Sequence, residues 1–298
     1  RSSDLTQAEA IIDIIEAKTE DSLSLAVAQL DGTVSSFVKD VREQLIAMIA
    51  HLEVTIDYPE EDIEDVTSQE VREQLQPILK AMDKLLSTAN TGRLIRDGIT
   101  TVIVGRPNAG KSSLMNALLR ENRAIVTDIP GTTRDSIEEY MTVEGISLRL
   151  IDTAGIRDTQ DTVEALGVER ARDYINKADI VLCVIDGSTP LTPEEIEILT
   201  SVSGLNTIVL LNKSDVAQVV TDENIKEHGT FTAIERISAK EGEGSAVLAK
   251  WVQELVYGGR VKQDNSAMIS NVRHISLMEQ AKAQVEQALS SIDMGMPV

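Results

Sequence analysis

The sequence predicts an α/β domain with a mostly parallel sheet, inserted into an all-α domain. Residues 4–90, and again the residues after 261, carry apolar side chains at the three- and four-residue spacing of helices. From Gly98 onward, short β-rich runs alternate with helical patterns, which is typical of parallel strands joined by right-handed crossovers. We therefore expect a first helical part at residues 1–95, an α/β domain at 96–260 and a second helical part at 261–298. Two separate helical appendages are the alternative arrangement.

The first helical part contains two amphipathic patterns. After Asp21, apolar residues from Leu23 to Leu52 follow one stripe of a long helix, in which we expect Gly32 to mark a bend. Residues 67–70, with the sequence Thr-Ser-Gln-Glu, look like a capping box at the start of a second helix. The apolar side of that second helix comprises Val71, Leu75, Ile78, Met82 and Leu85.

Five β-rich runs and four helical patterns make up the α/β domain. The β-rich runs are residues 99–104, 147–151, 180–185, 207–211 and, more weakly, 233–237. The helical patterns are residues 112–119, 163–176, 193–202 and 246–257. Residues 140–143 and 147–151, joined around Glu144-Gly145, predict an antiparallel hairpin at one edge of the sheet. Helical spacing returns in the last part of the chain at Ile275, Met278, Ala281, Val285 and Leu289.

Composition excludes several classes of function. The chain has 28 Lys and Arg residues against 49 Asp and Glu, and its net charge of −21 opposes indiscriminate binding to nucleic acid. One cysteine, Cys183, excludes a disulfide framework and fits a reducing compartment such as the cytoplasm. The histidines, His51, His228 and His274, are too scattered to indicate a metal site. No uncharged apolar run reaches the roughly 18 residues of a membrane span, and the first residues lack signal-peptide character and a Met, so we expect a trimmed or partial chain.

A phosphate-binding loop is predicted at residues 105–112. This segment fits the pattern G-x-x-x-x-G-K-[ST], with a β-rich run before it and a helical pattern after it. Its glycines let backbone N–H groups wrap around an anion at the positive end of the following helix. Lys111 reaches the β- and γ-phosphates in such a loop, and the hydroxyl of Ser112 is a hard ligand for Mg²⁺.

Three further motifs identify the base as guanine. Residues 152–155 read D-x-x-G, residues 212–215 read N-K-x-D and residues 238–240 read S-A-K, each after a β-rich run. The Asp215 carboxylate accepts from guanine N1–H and its exocyclic amine, whereas adenine presents an acceptor at N1. We expect Lys213 to lie along the base and to tie this loop to the phosphate loop. Four motifs in order at one edge of a parallel sheet predict a Ras-like P-loop GTPase domain.

The group that positions the attacking water is not identified by the residues alone. In Ras-like switches the residue after D-x-x-G is a Gln that orients water, and here it is Ile156, which cannot hydrogen-bond water. A carboxylate or another polar group in the following segment can take that role. The candidates are Arg157, Asp158, Asp161, Glu164 and Glu169, and nothing in the sequence favours one of them.

A cation is also expected beside the phosphates, because charge spreads over the phosphate oxygens in the transition state. The side-chain oxygen of Asn108 can help to hold a monovalent cation, although a turn-forming Asn is an equal interpretation. Residues 127–135 lie where the first switch is expected, and Thr133 is the natural ligand for Mg²⁺ and the γ-phosphate. Carbonyl groups of residues 127–132 can complete a cage of potassium size, although a hydroxyl-rich flexible loop is the alternative.

The motifs and the helical flanks together resemble one family. Residues 105–113, 127–135 and 152–157, with residues 4–10 and 271–274, are similar to the MnmE (TrmE) family of tRNA-modification GTPases. The resemblance covers nearly all 298 residues, including helical parts that other GTPases do not share. It implies an α/β P-loop GTPase (Ras-like) domain inserted into an all-α helical-bundle domain.

The resemblance also implies a mechanism and a set of site residues. GTP hydrolysis in the family depends on K⁺ and on two G domains that meet in a homodimer. By position, Glu164 matches the family's glutamate that orients the attacking water through a bridging water. The positions that match the K⁺ ligands are Asn108, Thr127, Ile129 and Thr132. The positions that match the Mg²⁺ ligands are Ser112 and Thr133. The residues expected to contact the nucleotide are Asn108, Ala109, Gly110, Lys111, Ser112, Ser113, Thr127, Asp128, Ile129, Pro130, Gly131, Thr132, Thr133, Asp152, Thr153, Ala154, Gly155, Asn212, Lys213, Asp215, Ser238, Ala239 and Lys240.

The resemblance further implies partners. The family acts with MnmG, which contains FAD, to install an aminomethyl-type group (aminomethyl or carboxymethylaminomethyl) on the wobble uridine of certain tRNAs, with a one-carbon unit from a folate. This sequence contains no counterpart of the family's N-terminal folate-binding and dimerising domain, nor of its cysteine-containing C-terminal tail. The acidity of the chain implies that tRNA is held mainly through the complex with MnmG.

Two other classes of function are weighed against this interpretation. A ribosome-assembly GTPase that acts as a nucleotide-dependent binding module shares the phosphate loop and the apolar residue at position 156. Such proteins usually carry a basic RNA-binding appendage, and this sequence shows none. A signalling switch controlled by partner proteins is weaker still, because the helical parts do not match the usual architecture of such switches.

Overall fold

The protein divides into two compact units. The computed structural model describes residues 2–57, 68–122, 138–152, 172–258 and 267–294. One unit joins Arg1–Arg96 with Val261–Val298, and the other is Asp97–Arg260. The first unit is helical and the second contains a six-stranded sheet with helices, so the predicted fold class is confirmed.

The secondary structure follows the predicted alternation. The elements are α1 (Ser2–Glu16), α2 (Glu20–Leu30), α3 (Thr33–Asp57), α4 (Ser68–Leu86), α5 (Ala89–Asp97), β1 (Ile99–Val104), α6 (Lys111–Asn122), β2 (Glu138–Val143), β3 (Ile146–Asp152), β4 (Ile180–Asp186), α7 (Pro193–Val202), β5 (Thr207–Asn212), α8 (Asp222–Lys226), β6 (Ala233–Arg236), α9 (Gly244–Tyr257) and α10 (Val272–Asp293). Residues 172–177 are helical as well. None of the helices in the described ranges is long and apolar enough to cross a membrane.

The stripe predicted as one long helix with a bend is two helices. α2 ends at Leu30 and α3 begins at Thr33, with Gly32 between them at a φ of +83°. A right-handed helix cannot pass through a residue with positive φ, so the chain reverses its backbone conformation there and starts again. The capping box predicted at residues 67–70 includes Thr67, which lies outside the described residues.

The helical unit has a core made from both ends of the chain. The predicted apolar side of α4 is buried and packs with residues from α3, from the segment before α10 and from α10 itself. The buried members are Met48, Val71, Leu75, Ile78, Met82, Leu85, Ile269, Met278 and Val285. Helices separated by some 180 residues in the sequence therefore share one apolar interior.

The sheet of the second unit has the strand order β2-β3-β1-β4-β5-β6. All neighbouring strands are parallel except β2 and β3, which form the predicted antiparallel hairpin at one edge. The hairpin turns at Glu144 and Gly145, which have φ values of +52° and +80°. Positive φ at both central residues matches the right-handed twist of the flanking strands. The central strand β4 is buried along its whole length, as expected for a parallel strand covered on both faces.

Parallel strands bring their carboxyl ends to one edge of the sheet. The loops after β1, β3, β4, β5 and β6 therefore begin at this edge, which is where ligands of open α/β sheets bind. In the register of β4 and β5, Asp186 at the end of β4 lies opposite Asn212 at the end of β5. The motifs predicted after β1, β5 and β6 therefore begin at the same edge of the sheet, with β4 lying between β1 and β5.

Candidate nucleotide-binding site

The loop between β1 and α6 can be built only with glycine at two positions. Gly105 and Gly110 have φ values of +149° and +103°. A Cβ on Gly105 would lie 2.3 Å from the carbonyl oxygen of Val184, and one on Gly110 would lie 2.0 Å from Asn212 Nδ2. Asn108 also has a positive φ, +63°, and its side chain is exposed. Its position fits the turn-forming interpretation, and the cation interpretation stays a prediction.

The lysine of the loop folds back over the loop itself. Lys111 is the first residue of α6, and its side chain is buried. Its Nζ donates to the carbonyl oxygens of Gly105 and Arg106, both at 2.8 Å. Ser112 and Ser113 follow in the first turn of α6 and are exposed. Positive charge and the N-terminus of a helix are thus brought together at this loop, as anion binding requires.

Arg106, the second residue of the loop, is bonded to a buried carboxylate. Its Nε donates to Glu195 Oε1 at 3.0 Å, and Glu195 has no exposed surface. The other oxygen of Glu195 accepts from the backbone N–H and the hydroxyl of Thr192, which caps α7. No sequence motif predicted a role for Glu195 in the site, although Thr192-Pro193-Glu194-Glu195 has the pattern of a capping box.

Asn212 joins three loops at the carboxyl edge. Its Nδ2 donates to the carbonyl oxygen of Ala109 at 2.8 Å, and its Oδ1 accepts from the N–H of Ala239 at 3.0 Å. The side chain is almost fully buried, at 3% exposed. The side-chain amide of the first residue of the N-K-x-D motif is therefore hydrogen-bonded to both the phosphate loop and the S-A-K loop.

The predicted tie from Lys213 to the phosphate loop is wrong in this structure. Its Nζ donates instead to Asp186 Oδ2 at 2.6 Å. The sheet register explains this contact, because Asp186 lies opposite Asn212 and its carboxylate is within reach of the next residue along. The direct bond to the phosphate loop belongs to Asn212.

Asp215, the expected reader of guanine, is oriented by the neighbouring loop. Its Oδ1 accepts from Ser238 Oγ at 3.0 Å, and Lys240 Nζ lies 3.9 Å from its Oδ2. Glu243 joins the same two loops, since its Oε2 accepts from the Ser238 N–H at 2.7 Å and from Ser214 Oγ at 3.1 Å. No pattern in the sequence singled out Glu243.

Two ionisable groups beside the site have shifted pKa values. Burial acts to raise the pKa of Asp186, but hydrogen bonds from Lys213 and Ser188 outweigh it and hold that pKa below its ordinary value. Cys183 lies inside β4, where burial and the negative charge of Glu195 raise the pKa of its thiol to about 12. At neutral pH the thiol is therefore protonated and unreactive.

Several predicted site residues lie outside the described residues. These are Thr127, Asp128, Ile129, Pro130, Gly131, Thr132, Thr133, Thr153, Ala154, Gly155 and Glu164, together with Ile156 and most of the helical pattern at 163–176. Asp152 is the last residue of β3, at the predicted edge. Among the described residues, no group of three or more His, Cys, Asp or Glu side chains is placed to hold a metal ion.

Two solved structures each align with more than half of this chain. A structure of Aquifex aeolicus Era bound to GDP and AlF4− is 28% identical, covers 58% of this chain and 62% of that chain, and gives a TM-score of 0.40. The G domain of the FeoB iron transporter from T. maritima is 26% identical, covers 53% and 98%, and gives a TM-score of 0.39.

Curated relatives align with almost the whole chain. The protein named tRNA modification GTPase MnmE from Geobacillus thermodenitrificans (strain NG80-2) is 48% identical over 296 residues. The protein of the same name from Clostridioides difficile (strain 630) is 45% identical over 294 residues. Each alignment covers 99% of this chain, and the chain spans 64% of the length of each relative. The model of the MnmE helical domain family matches residues 5–298, which include both helical parts and the sheet-containing unit between them in the sequence. The chain therefore belongs to that family.

Proposed function

We propose that this chain binds and hydrolyses GTP and that it does so as part of a tRNA-modifying protein. The observation that carries the proposal is the junction at Asn212, where one buried amide joins the phosphate loop to the two loops expected to hold guanine. The names of the relatives, which are GTPases of tRNA modification, support the same activity.

The base end of the site is suited to guanine. Asp215 has a carboxylate held by Ser238 and 27% exposed, so a ligand can reach it. A carboxylate accepts two hydrogen bonds from N1–H and the exocyclic amine of guanine, whereas the N1 lone pair of adenine repels it. Selection of GTP over ATP follows from this difference.

The phosphate end supplies positive charge and a hard oxygen. Lys111 and the first N–H groups of α6 attract the β- and γ-phosphates. The exposed hydroxyl of Ser112 fits Mg²⁺, which prefers oxygen ligands, and Thr133 is proposed as its second protein ligand. When bound, Mg²⁺ neutralises charge on the phosphates, while this chain's own residues hold and orient them.

The finer mechanism is also proposed. The exposed side chain of Asn108 is open to a cation, and we assign it with Thr127, Ile129 and Thr132 to a K⁺ site. Glu164 is assigned the orientation of the attacking water, through a bridging water. Two G domains pair in a homodimer, and this pairing completes the site. The protein then acts in the cytoplasm with MnmG, which contains FAD, to modify the wobble uridine of tRNA with a one-carbon unit from a folate.

One experiment separates these levels. GTP turnover is measured in KCl and in NaCl at equal ionic strength, over a range of protein concentrations. We expect faster turnover in KCl and a rate per molecule that rises with concentration. Equal rates in the two salts would reject the proposed K⁺ site. A rate per molecule that does not depend on protein concentration would reject activation by pairing. ATP that binds as tightly as GTP would reject the proposed selection of guanine. A Glu164→Ala protein with full turnover would remove Glu164 from its role.

A further inference from the structure

A buried carboxylate at the end of β4 is not part of any motif that predicted the site. Asp186 is 4% exposed, and each of its oxygens is bonded. Oδ1 accepts from the N–H and the hydroxyl of Ser188 at 3.0 and 2.6 Å. Oδ2 accepts from Lys213 Nζ at 2.6 Å. Asp186 therefore fixes the ammonium group of the lysine in the N-K-x-D motif.

The same oxygen also faces the phosphate loop. Arg106 Nη2 lies 3.9 Å from Asp186 Oδ2, while Arg106 Nε is bonded to Glu195. The charges alternate in a chain of four groups, Lys213, Asp186, Arg106 and Glu195, which runs from the base loop to the phosphate loop. These four side chains, two cations and two anions, have no net charge together. Each buried charge among them therefore has an oppositely charged partner.

An anchored lysine changes what nucleotide binding requires. The Lys213 side chain is 41% exposed, and its backbone holds a left-handed conformation with φ +66°. A lysine that is free in solution loses much rotamer freedom when its stem is placed along a base. If its ammonium is already bonded to Asp186, the stem is ordered before the nucleotide arrives, and less of the binding energy is lost to ordering.

We propose that Asp186 is a positioning residue for guanine-nucleotide binding: it anchors Lys213 beside the base and, through Arg106, couples the base loop to the phosphate loop. The inference rests on the proposed function and adds to it a residue that touches neither base nor phosphate. Asp186 acts on affinity, whereas the chemical step depends on groups at the other end of the site.

The test replaces Asp186 with Asn in the full chain, which keeps shape and an acceptor for Ser188 but removes the charge. Affinity for a fluorescent N-methylanthraniloyl GDP is measured, with KM and kcat for GTP. Loss of a charged hydrogen bond predicts a rise of about 10-fold in Kd and in KM, with kcat changed less than about 2-fold. Asp222→Asn removes an equal charge from an exposed pair with Arg236 and is the control, expected to leave Kd within about 2-fold.

A double-mutant cycle shows whether the effect passes through the lysine. Lys213→Met alone is expected to weaken GDP binding, and adding Asp186→Asn to it is expected to weaken binding by less than about 2-fold more. An equally large loss in both backgrounds, or no loss with Lys213 present, would overturn the proposal. If Asp186→Asn does not fold, Lys213→Arg should bind GDP more tightly than Lys213→Met, and equal affinities would overturn it.

The wild-type measurement separates this inference from the function on which it rests. Fluorescent GDP displaced by GTP but not by ATP establishes the guanine site. A wild-type chain that does not bind the probe would reject the proposed function and this inference with it. A wild-type chain that binds, with an Asp186→Asn chain that binds equally well, would reject only the role of Asp186.

Discussion

Single residues in the sheet-containing unit show how buried charge is made tolerable. Glu195 and Asp186 are both nearly inaccessible, and each is bonded to a cation and to a hydroxyl group. Such groups stabilise the fold only while they are ionised, because the partner would otherwise be left unpaired. Because the pKa of Asp186 is lowered in the fold, the loss of stability in acid should report on the ionisation of Asp186.

The pH dependence of Asp186 has a definite sign. Its pKa is below the ordinary value in the folded chain, so its contribution is present above the unfolded-state pKa, near 4, and is lost as pH falls through the folded-state value. We expect urea unfolding, followed by fluorescence of the single Trp251 in α9, to show wild type more stable than Asp186→Asn at pH 7. The gap should close as pH falls below about 4. A gap that widens in acid would contradict the cited pKa direction.

The thiol of Cys183 provides a second prediction at this scale. Since it is fully buried and its pKa is about 12, the folded chain should react with a thiol reagent such as DTNB at pH 8 at least about 1,000-fold more slowly than the chain in urea. The chain has one cysteine, so the absorbance change has one source. Rapid labelling of the folded chain would show that β4 opens readily.

At the scale of elements, Gly92 in α5 is a helical glycine whose replacement by Ala is expected to destabilise the protein. Gly→Ala inside a helix usually stabilises by about 0.5–1 kcal/mol. A Cβ on Gly92 would lie 2.4 Å from the carbonyl oxygen of Ile269, in the segment before α10. The close approach exists because Thr88 Oγ1 accepts from the N–H of Ile269 at 3.1 Å and holds that segment against α5.

We therefore expect Gly92→Ala to destabilise the helical unit by at least about 1 kcal/mol, because backbone must move to admit the methyl group. Hydrogen exchange of amides in α5 and α10 measures the change. Asn90→Ala, at an exposed site of the same helix, serves as the comparison and should change stability by less than about 0.5 kcal/mol. Equal protection in the two variants would contradict the close packing.

Local patterns predicted most elements but could not predict where a pattern is interrupted. The apolar stripe continues through residues 31–32, so its period predicts one helix, and only the positive φ of Gly32 divides it into α2 and α3. The loops that carry the G-x-x-x-x-G-K-[ST], N-K-x-D and S-A-K motifs begin at one edge of the sheet, as expected, and their roles in binding stay predictions. They could not identify Glu195 or Asp186 as partners, because those contacts join residues 89 and 27 positions apart.

At the scale of the whole molecule, the helical unit depends on both ends of the chain. Gln29 Nε2 donates to Ser270 Oγ at 2.5 Å, with both side chains buried. Lys282 Nζ lies 2.6 Å from Asp83 Oδ1, and the apolar core contains Met278 and Val285 of α10. The sheet-containing unit has a separate core centred on β4.

A chain that ends at residue 260 should therefore have a less stable helical unit and a sheet-containing unit of unchanged stability. We expect amides of α4 to lose hydrogen-exchange protection by about 10-fold or more, since the apolar side chains of residues 267–292 that pack against α4 are gone. Amides of β4 and β5 should keep theirs within about 2-fold, because their contacts lie inside the second unit. Loss of protection in both units to the same degree would show that they fold as one.

The hydrogen bonds of Asn212 have a consequence for changing the nucleotide that we propose this protein binds. The amide that joins the phosphate and S-A-K loops and the carboxylate that we propose reads the base are different residues, three positions apart. Asp215→Asn keeps an oxygen for Ser238 and presents an N–H₂ donor in place of the other oxygen. Xanthine carries a carbonyl where guanine carries its amine, so that donor suits it. Under the proposed function, Asp215→Asn is therefore expected to change which nucleotide binds while the hydrogen bonds of Asn212 stay in place.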